Sequence, residues 1–183
     1  MGRHEYDYYA TPQWCVEILL AHCDLPAGEW LEPCAGEGAI IDAVNDCRSD
    51  VQWSAGEIQP QFMGVLQSKA RTVVIGDFRD SAKKLLEWYP HPAVIITNPP
   101  YYMAHDIVTS AIRFTDFSTI VAMLLPLTYL ASRGRSQFLR FNVPDVYILS
   151  QRPEFVGGGT APTDYAWMVW HRDRGNVGKV RIL

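Results

Sequence analysis

The sequence predicts an α/β fold, a mostly parallel sheet with helices on both faces and an antiparallel hairpin strand near the C-terminal end. Three observations predict it. Short runs rich in β-branched and apolar residues recur along the chain, each followed by a polar or glycine turn and then a helix-like segment. These runs are continuously apolar rather than alternating, which suits strands covered on both faces. Near the end, two such runs follow one another with no helix between them.

Taken in order, 12–22 reads as a helix, with Thr11 as a good N-cap and Pro12 as a good first helical residue. Strands are predicted at 29–32, 51–58, 72–75, 93–97 and 119–125, and helices at 39–46, 60–69, 81–88 and 104–114. The runs 146–150 and 165–171 then form an antiparallel pair at the sheet edge, which brings the count to seven strands. The segment joining them, 151–164, contains Gly157-Gly158-Gly159 and reads as a mobile loop.

Bulk properties narrow the function. The 183 residues, 48% apolar and 20% charged, fit one globular domain. The longest apolar runs, such as 120–127, are too short to cross a bilayer, so no membrane partner is expected. The first residues hold no apolar core of a signal peptide, and a reducing cytoplasm is the expected location. Cys15, Cys23, Cys34 and Cys47 show no metal-ligand or disulfide spacing and read as core residues, so no metal is expected. Net charge is −4, unevenly spread. Residues 1–112 carry 7 Lys/Arg against 15 Asp/Glu (−8), and residues 113–183 carry 9 against 5 (+4). A cofactor half followed by a polyanion-facing half has this pattern, and so does an ordinary solvated surface.

The stretch Leu31-Glu32-Pro33-Cys34-Ala35-Gly36-Glu37-Gly38 follows a predicted strand and precedes a predicted helix. Gly36 and Gly38 let the backbone approach a ligand closely, and an acid on the next strand can bind ribose hydroxyls. Glu57, with Ile58 beside it, closes that strand 21 positions after Gly36. A dinucleotide site differs: Ile41 stands where its third glycine belongs, and Glu32 and Glu37 would repel a pyrophosphate. The cofactor should carry positive charge, and S-adenosylmethionine does. Asp77-Phe78 ends the third strand, where an acid and an aromatic can accept from and stack on an adenine. Asp77 alone would serve as a helix N-cap.

The fourth strand runs into Asn98-Pro99-Pro100-Tyr101. Two prolines fix the backbone and remove two donors, which leaves the Asn98 side-chain oxygen and the Pro99 carbonyl as a rigid pair of acceptors for an –NH2 group. An aromatic amine is a poor nucleophile because its lone pair delocalises into the ring. Orienting it is therefore a sensible strategy, and Tyr101 would stack on the ring that bears it.

With these motifs the chain resembles the class I, Rossmann-like amino-methyltransferases, most specifically small phage-type DNA adenine-N6 methyltransferases. The match covers nearly the whole chain. Tyr9-Ala10-Thr11-Pro12 matches the motif that closes over the cofactor's methionine end. The stretch from Glu32 through Pro33, Cys34, Ala35 and Gly36 to Gly38 matches the glycine-rich motif, Glu57 with Ile58 the ribose acid, and Asp77-Phe78 the adenine pair. Asn98-Pro99-Pro100-Tyr101 matches the catalytic tetrapeptide, with Asn98 also on the cofactor's side. Leu124-Leu125-Pro126 matches the end of the fifth strand and 164–170 the late hairpin strand. The resemblance implies S-adenosylmethionine as cofactor and transfer to adenine N6 in nucleic acid, DNA favoured over RNA.

One departure is that 82 residues follow Tyr101, too few for a separate target-recognition domain. Recognition then falls to loops, to a partner or to a second copy. In 132–140, Arg133, Arg135 and Arg140 could hold phosphates, and a helix with a solvated charged face fits equally. The segment 157–164 could close over a base or be a plain hairpin tip. Glutamine methyltransferases of release factors and RNA guanine methyltransferases share the tetrapeptide. They usually carry an extra N-terminal domain, whereas only about 28 residues precede the glycine turn here. A cofactor-binding module without catalysis is a third reading.

Overall fold

The computed structural model describes residues 9–80, 91–155, 159–160, 162–174 and 177–183. The predicted helix at 81–88 and most of the glycine run at 157–159 lie outside them. The described helices are α1 (Gln13–His22), α2 (Ala39–Cys47), α3 (Met63–Gln67), α4 (Ala104–Phe114) and α5 (Ser136–Phe141). The strands are β1 (Gly28–Glu32), β2 (Val51–Glu57), β3 (Thr72–Ile75), β4 (Val94–Thr97), β5 (Ile120–Pro126), β6 (Asp145–Ile148), β7 (Glu154–Phe155), β8 (Gly159–Thr160), β9 (Tyr165–His171) and β10 (Val180–Ile182).

Eight strands form one sheet in the order β10-β6-β9-β5-β4-β1-β2-β3, while β7 and β8 pair separately. Strands β1 to β5 are mutually parallel, and β9 runs antiparallel between β5 and β6. The expected count of seven is thus corrected to eight, and the antiparallel pair is not the sheet edge. β10 adds outside β6 in parallel, where Lys179 N–H donates to Asp145 Oδ1 at 2.8 Å and Leu183 N–H to the Ile148 carbonyl at 2.8 Å. A three-residue edge strand whose valine and isoleucine are exposed leaves no apolar run to read.

Two further expectations change. Pro12, not Thr11, is the N-cap of α1, and no side chain caps the helix; the Pro12 carbonyl accepts from Cys15 N–H at 3.0 Å while Thr11 is buried. The predicted helix 60–69 splits into a 3₁₀ turn at Pro60–Phe62 and the short α3, in which Gly64 weakens helical propensity. In 151–164, β7 and β8 fold back on each other where a loop was expected.

The core lies on both faces of the sheet. Along β5, Ala122 and Leu124 join the cluster under α1 and α2, with Trp30, Trp53 and Trp167; Val121, Met123 and Leu125 join the cluster under α4, with Ile95 and Ile107. The period-2 alternation of strand side chains makes this division, and it explains why the strands read as unbroken apolar runs. The buried indoles keep a partner: Trp167 Nε1–H donates to the Cys15 carbonyl at 2.6 Å and Trp30 Nε1–H to that of Pro26 at 2.9 Å. Among the described residues, no helix is long and apolar enough to cross a membrane.

Because β1 to β5 run the same way, the turns that follow them gather at one end of the sheet. In open parallel sheets that end is where ligands bind.

Candidate active site

The glycine turn is built from the main chain. Gly36 and Gly38 both take positive φ, 53° and 81°, and Gly38 caps α2 in the left-handed region. Gly38 N–H donates to the Ala35 carbonyl at 2.7 Å, and Ala35 N–H to that of Gly56 at 3.0 Å. From outside, Lys69 Nζ donates to the Glu37 carbonyl at 2.7 Å and pairs with Asp42. Alanine at 38 would be held in the left-handed region with its Cβ 3.0 Å from the Lys69 side chain. Gly38→Ala is expected to lower unfolding free energy by about 1–2 kcal/mol, read as a lower urea midpoint at unchanged m.

Two buried carboxyl groups flank this turn. Glu57 Oε2 accepts from Gly36 N–H at 2.7 Å and its Oε1 from Gln59 N–H at 2.9 Å. The residue expected to bind ribose therefore also shapes the turn, joining the ends of β1 and β2. Half-buried Ile58 follows it. Glu32, only 2% exposed, closes β1. Among the described residues, its Oε2 has no hydrogen-bond partner. Burial, then the nearby charges of Glu57 and Asp42, push the Glu32 carboxyl well above the usual carboxylate range. An unpartnered oxygen in such surroundings would be satisfied by a cation or a hydrogen-bond donor. Pro33 and Ala35 are buried, and Cys34 presents its carbonyl to the neighbouring strand.

That contact joins the two candidate motifs. β4 pairs directly with β1, and Thr97, the last residue of β4 and fully buried, donates Oγ1–H to the Cys34 carbonyl at 3.5 Å. Asn98-Pro99-Pro100-Tyr101 therefore leaves the sheet beside the glycine turn. Tyr101 Oη–H donates to Asn98 Oδ1 at 3.1 Å. The Tyr101 ring lies 5.5 Å from Tyr165, which stands 5.4 Å from Phe155, which in turn is 5.9 Å from Tyr9. Tyr9 thus reaches the tetrapeptide side of the site through two intervening rings.

The adenine pair is placed differently from what the motif alone suggests. The Asp77 carboxylate accepts from Arg79 at the backbone N–H (2.9 Å) and at the guanidinium, whose Nη1 also lies 3.7 Å from Asp106 on α4. The Arg79 hydrogen bonds hold Asp77 below the usual carboxylate range. A ligand reaching this acid would share it with Arg79. Phe78 is 3% exposed and packs with Leu31, Ile95 and Ile107, so its ring belongs to the core and is not open for stacking.

No protein-family model matches this chain, and no curated protein sequence does. Its structural neighbours are informative. A protein assigned as an O-methyltransferase from Agrobacterium tumefaciens superposes with a TM-score of 0.64 at 17% identity, over 93% of this chain and 84% of that one. A protein assigned as the modification subunit of a type I restriction enzyme from Vibrio vulnificus gives 0.61 at 14% identity. This chain is covered over 94% and spans 45% of that subunit's length. One assigned as a class I S-adenosylmethionine-dependent methyltransferase from Listeria monocytogenes gives 0.59 at 12% identity, over 93% of this chain and 62% of that one. The fold is that of the class I methyltransferases.

Within this methyltransferase fold, the three arginines expected to face a polymer separate. Arg133 and Arg140 are exposed. Arg135 is used internally: its guanidinium lies 4.6 Å over the Tyr129 ring and donates to the carbonyls of Tyr129 (2.8 Å) and Thr128 (3.1 Å). That corrects its reading as a phosphate contact, because a guanidinium occupied by two carbonyls and a ring serves the fold. Sequence reasoning missed three neighbours of the site. Thr97 bridges the motifs, and Phe155 completes the ring cluster. His105 holds α4 against α5 through Tyr129 Oη at 3.2 Å and the Phe138 ring at 5.1 Å. The first could be sought as the polar residue ending an apolar strand; the other two carry no local signal. Arg152 pairs with Asp164 at 2.8 Å, and Leu127 N–H bonds the Asp164 carbonyl, which ties the base of the 151–164 segment to β5. Among the described residues, no group of three or more metal-binding side chains occurs.

Proposed function

We propose that this chain is an S-adenosylmethionine-dependent methyltransferase that modifies the exocyclic N6 amino group of adenine in nucleic acid, with DNA favoured over RNA. The observation that carries the reading is the position of Asn98-Pro99-Pro100-Tyr101: it ends β4 next to the glycine turn of β1, with Thr97 bonded to Cys34 between them. The likeness in fold to a restriction-enzyme modification subunit supports it.

The turn fits a cationic adenosyl cofactor. Gly36 and Gly38 leave the backbone open to close approach, and Glu32 Oε2, without a partner among the described residues, can take a donor or positive charge. The cofactor supplies an electrophilic methyl group on sulfur. The chain's own residues then act on the amine. Asn98 Oδ1 and the Pro99 carbonyl accept its two hydrogens and aim the lone pair, and Tyr101 lies against the ring. With the cofactor bound, the oriented nitrogen would take the methyl group from sulfur and give up one proton to solvent. A base inside a duplex cannot present its amine in line with the donor, so the target is flipped out or single-stranded. Arg133 and Arg140 would meet the phosphates.

Incubation with methyl-labelled cofactor and separate pools of DNA, RNA and protein, followed by mass spectrometry of the nucleosides, tests this. N6-methyl-2′-deoxyadenosine in the DNA digest is the expected product. Label in RNA alone would move the substrate to RNA, and label in protein alone would end the nucleic-acid reading.

A further inference from the structure

We propose that a cavity at the end of the sheet opposite the tetrapeptide binds a small phosphate ester with a free hydroxyl, of about the size of a pentose phosphate. The cavity lies where β6 begins and β9 ends. His171 there pairs with Ile120 at the start of β5, whereas Asn98 to Tyr101 leave the far end of β4. Its volume is about 280 Å³, and Val143, Val169 and Val177 form its apolar wall. One bridging water, with a share of about 30 Å³, would leave most of that space unfilled. The outer wall is held in place: a Cβ on Gly178 would run into the Pro144 carbonyl, so this segment lies flat against the start of β6.

Two buried side chains set the chemistry inside. Those of Asp145 and His171 are each 6% exposed, and both line the cavity. Asp145 Oδ1 accepts from Lys179 N–H at 2.8 Å, which fixes the carboxylate. Its Oδ2 stands 3.9 Å from His171 Nε2 and 3.7 Å from Arg181 Nη1, too far for a hydrogen bond to either. Among the described residues, His171 Nε2 has no hydrogen-bond partner, and a buried polar atom left in that state is costly. A hydroxyl between the two satisfies both. Its oxygen fits at about 2.8 Å from each, donating to the carboxylate and accepting from the ring N–H. An anion in that place would meet the Asp145 charge, so the inner group is neutral. At the mouth the charges reverse. Arg174 and Lys179 line the same cavity, are exposed, and form no ion pair among the described residues. Two cations on one mouth suit a phosphate dianion, and a guanidinium can take two of its oxygens.

The test is equilibrium binding of ribose 5-phosphate to the full chain, read by calorimetry and by NMR of the His171 ring and the Lys179 amide. Saturating S-adenosylhomocysteine is present throughout, so that the glycine turn is not the responding site. Saturable one-to-one binding that moves both signals is expected, with inorganic phosphate and ribose each about ten-fold weaker. The double variant Arg174→Ala, Lys179→Ala removes two exposed side chains without touching the core, and should weaken ribose 5-phosphate by about ten-fold or more. His171→Phe should weaken it by about ten-fold while leaving inorganic phosphate within about two-fold. No saturable binding up to about 10 mM, inorganic phosphate binding as tightly as the ester, or unchanged affinity in the double variant overturns the site. A 5′-phosphorylated oligoribonucleotide presents the same phosphate near a 2′-hydroxyl and separates two sources. Displacement of ribose 5-phosphate by it assigns the site to a strand end, and failure to displace assigns it to a free sugar phosphate. None of these measurements depends on methyl transfer, so the result stands apart from the amine reading.

Discussion

Asn98→Ala should lower methyl transfer by on the order of 10²- to 10³-fold while leaving cofactor affinity within a few-fold. The size follows from what the side chain does. In the proposed reading its Oδ1 is the acceptor that turns the amine lone pair towards the methyl group, and removing one preorganised group from a developing charge has effects of that order. Alanine is tolerable at this position, because Asn98 is half-buried on a turn and, among the described residues, only Tyr101 bonds its side chain. The neighbouring prolines still hold the corner, so the Pro99 carbonyl, the second acceptor in the proposed reading, stays in place. Single-turnover rates and equilibrium binding of the cofactor read the two quantities separately. Loss of cofactor affinity in parallel with turnover would show that Asn98 belongs to the cofactor pocket and not to the transfer step.

Cofactor binding should release a proton, and affinity should rise with pH until the Glu32 carboxyl of the free protein is itself ionised. Glu32 is the reason. Burial first, then Glu57 and Asp42, raise its carboxyl well above the ordinary glutamate value of 4.5 in the free protein. Between the unfolded and folded values, the folded state holds the extra proton. Its contribution to stability is therefore complete below 4.5 and diminishes as pH rises through the folded value. A positive charge arriving beside Oε2 favours the carboxylate and drives the proton off. A one-proton linkage changes affinity by about ten-fold per pH unit wherever the free protein holds this proton and the complex does not. Calorimetry in two buffers of different ionisation heat counts the released proton directly. Glu32→Gln should abolish the release and flatten the pH dependence. Release that persists in the glutamine variant would place the titrating group elsewhere.

The chain order of strands and helices was legible in the sequence because each element has its own local signature. Continuous apolar runs mark 94–97 and 120–126 as buried strands, the glycines at 36 and 38 mark a turn that needs positive φ, and the paired prolines at 99 and 100 mark a rigid corner. β10 was not legible: three residues with two exposed apolar side chains form a strand only because β6 offers an edge and Asp145 a bond for Lys179. α3 and the uncapped start of α1 fall in the same class, since helix ends follow tertiary contacts more than propensity.

For the site, the sequence by itself determined which residue types stand at the carboxyl ends of the strands: Glu32 to Gly38, Glu57, Asp77 and Asn98 to Tyr101 are read from composition and spacing along one chain. Only the tertiary structure decided what each of them touches. It took Phe78 into the core, spent Arg135 on two carbonyls, tied Asp77 to Arg79, and brought Tyr165, from 64 positions away, against Tyr101. The physical reason is range. Backbone preference and hydrophobic period act over a few neighbouring residues, whereas the partner of a buried polar group is chosen by whichever strand the sheet places beside it, and that pairing leaves no mark in the local sequence.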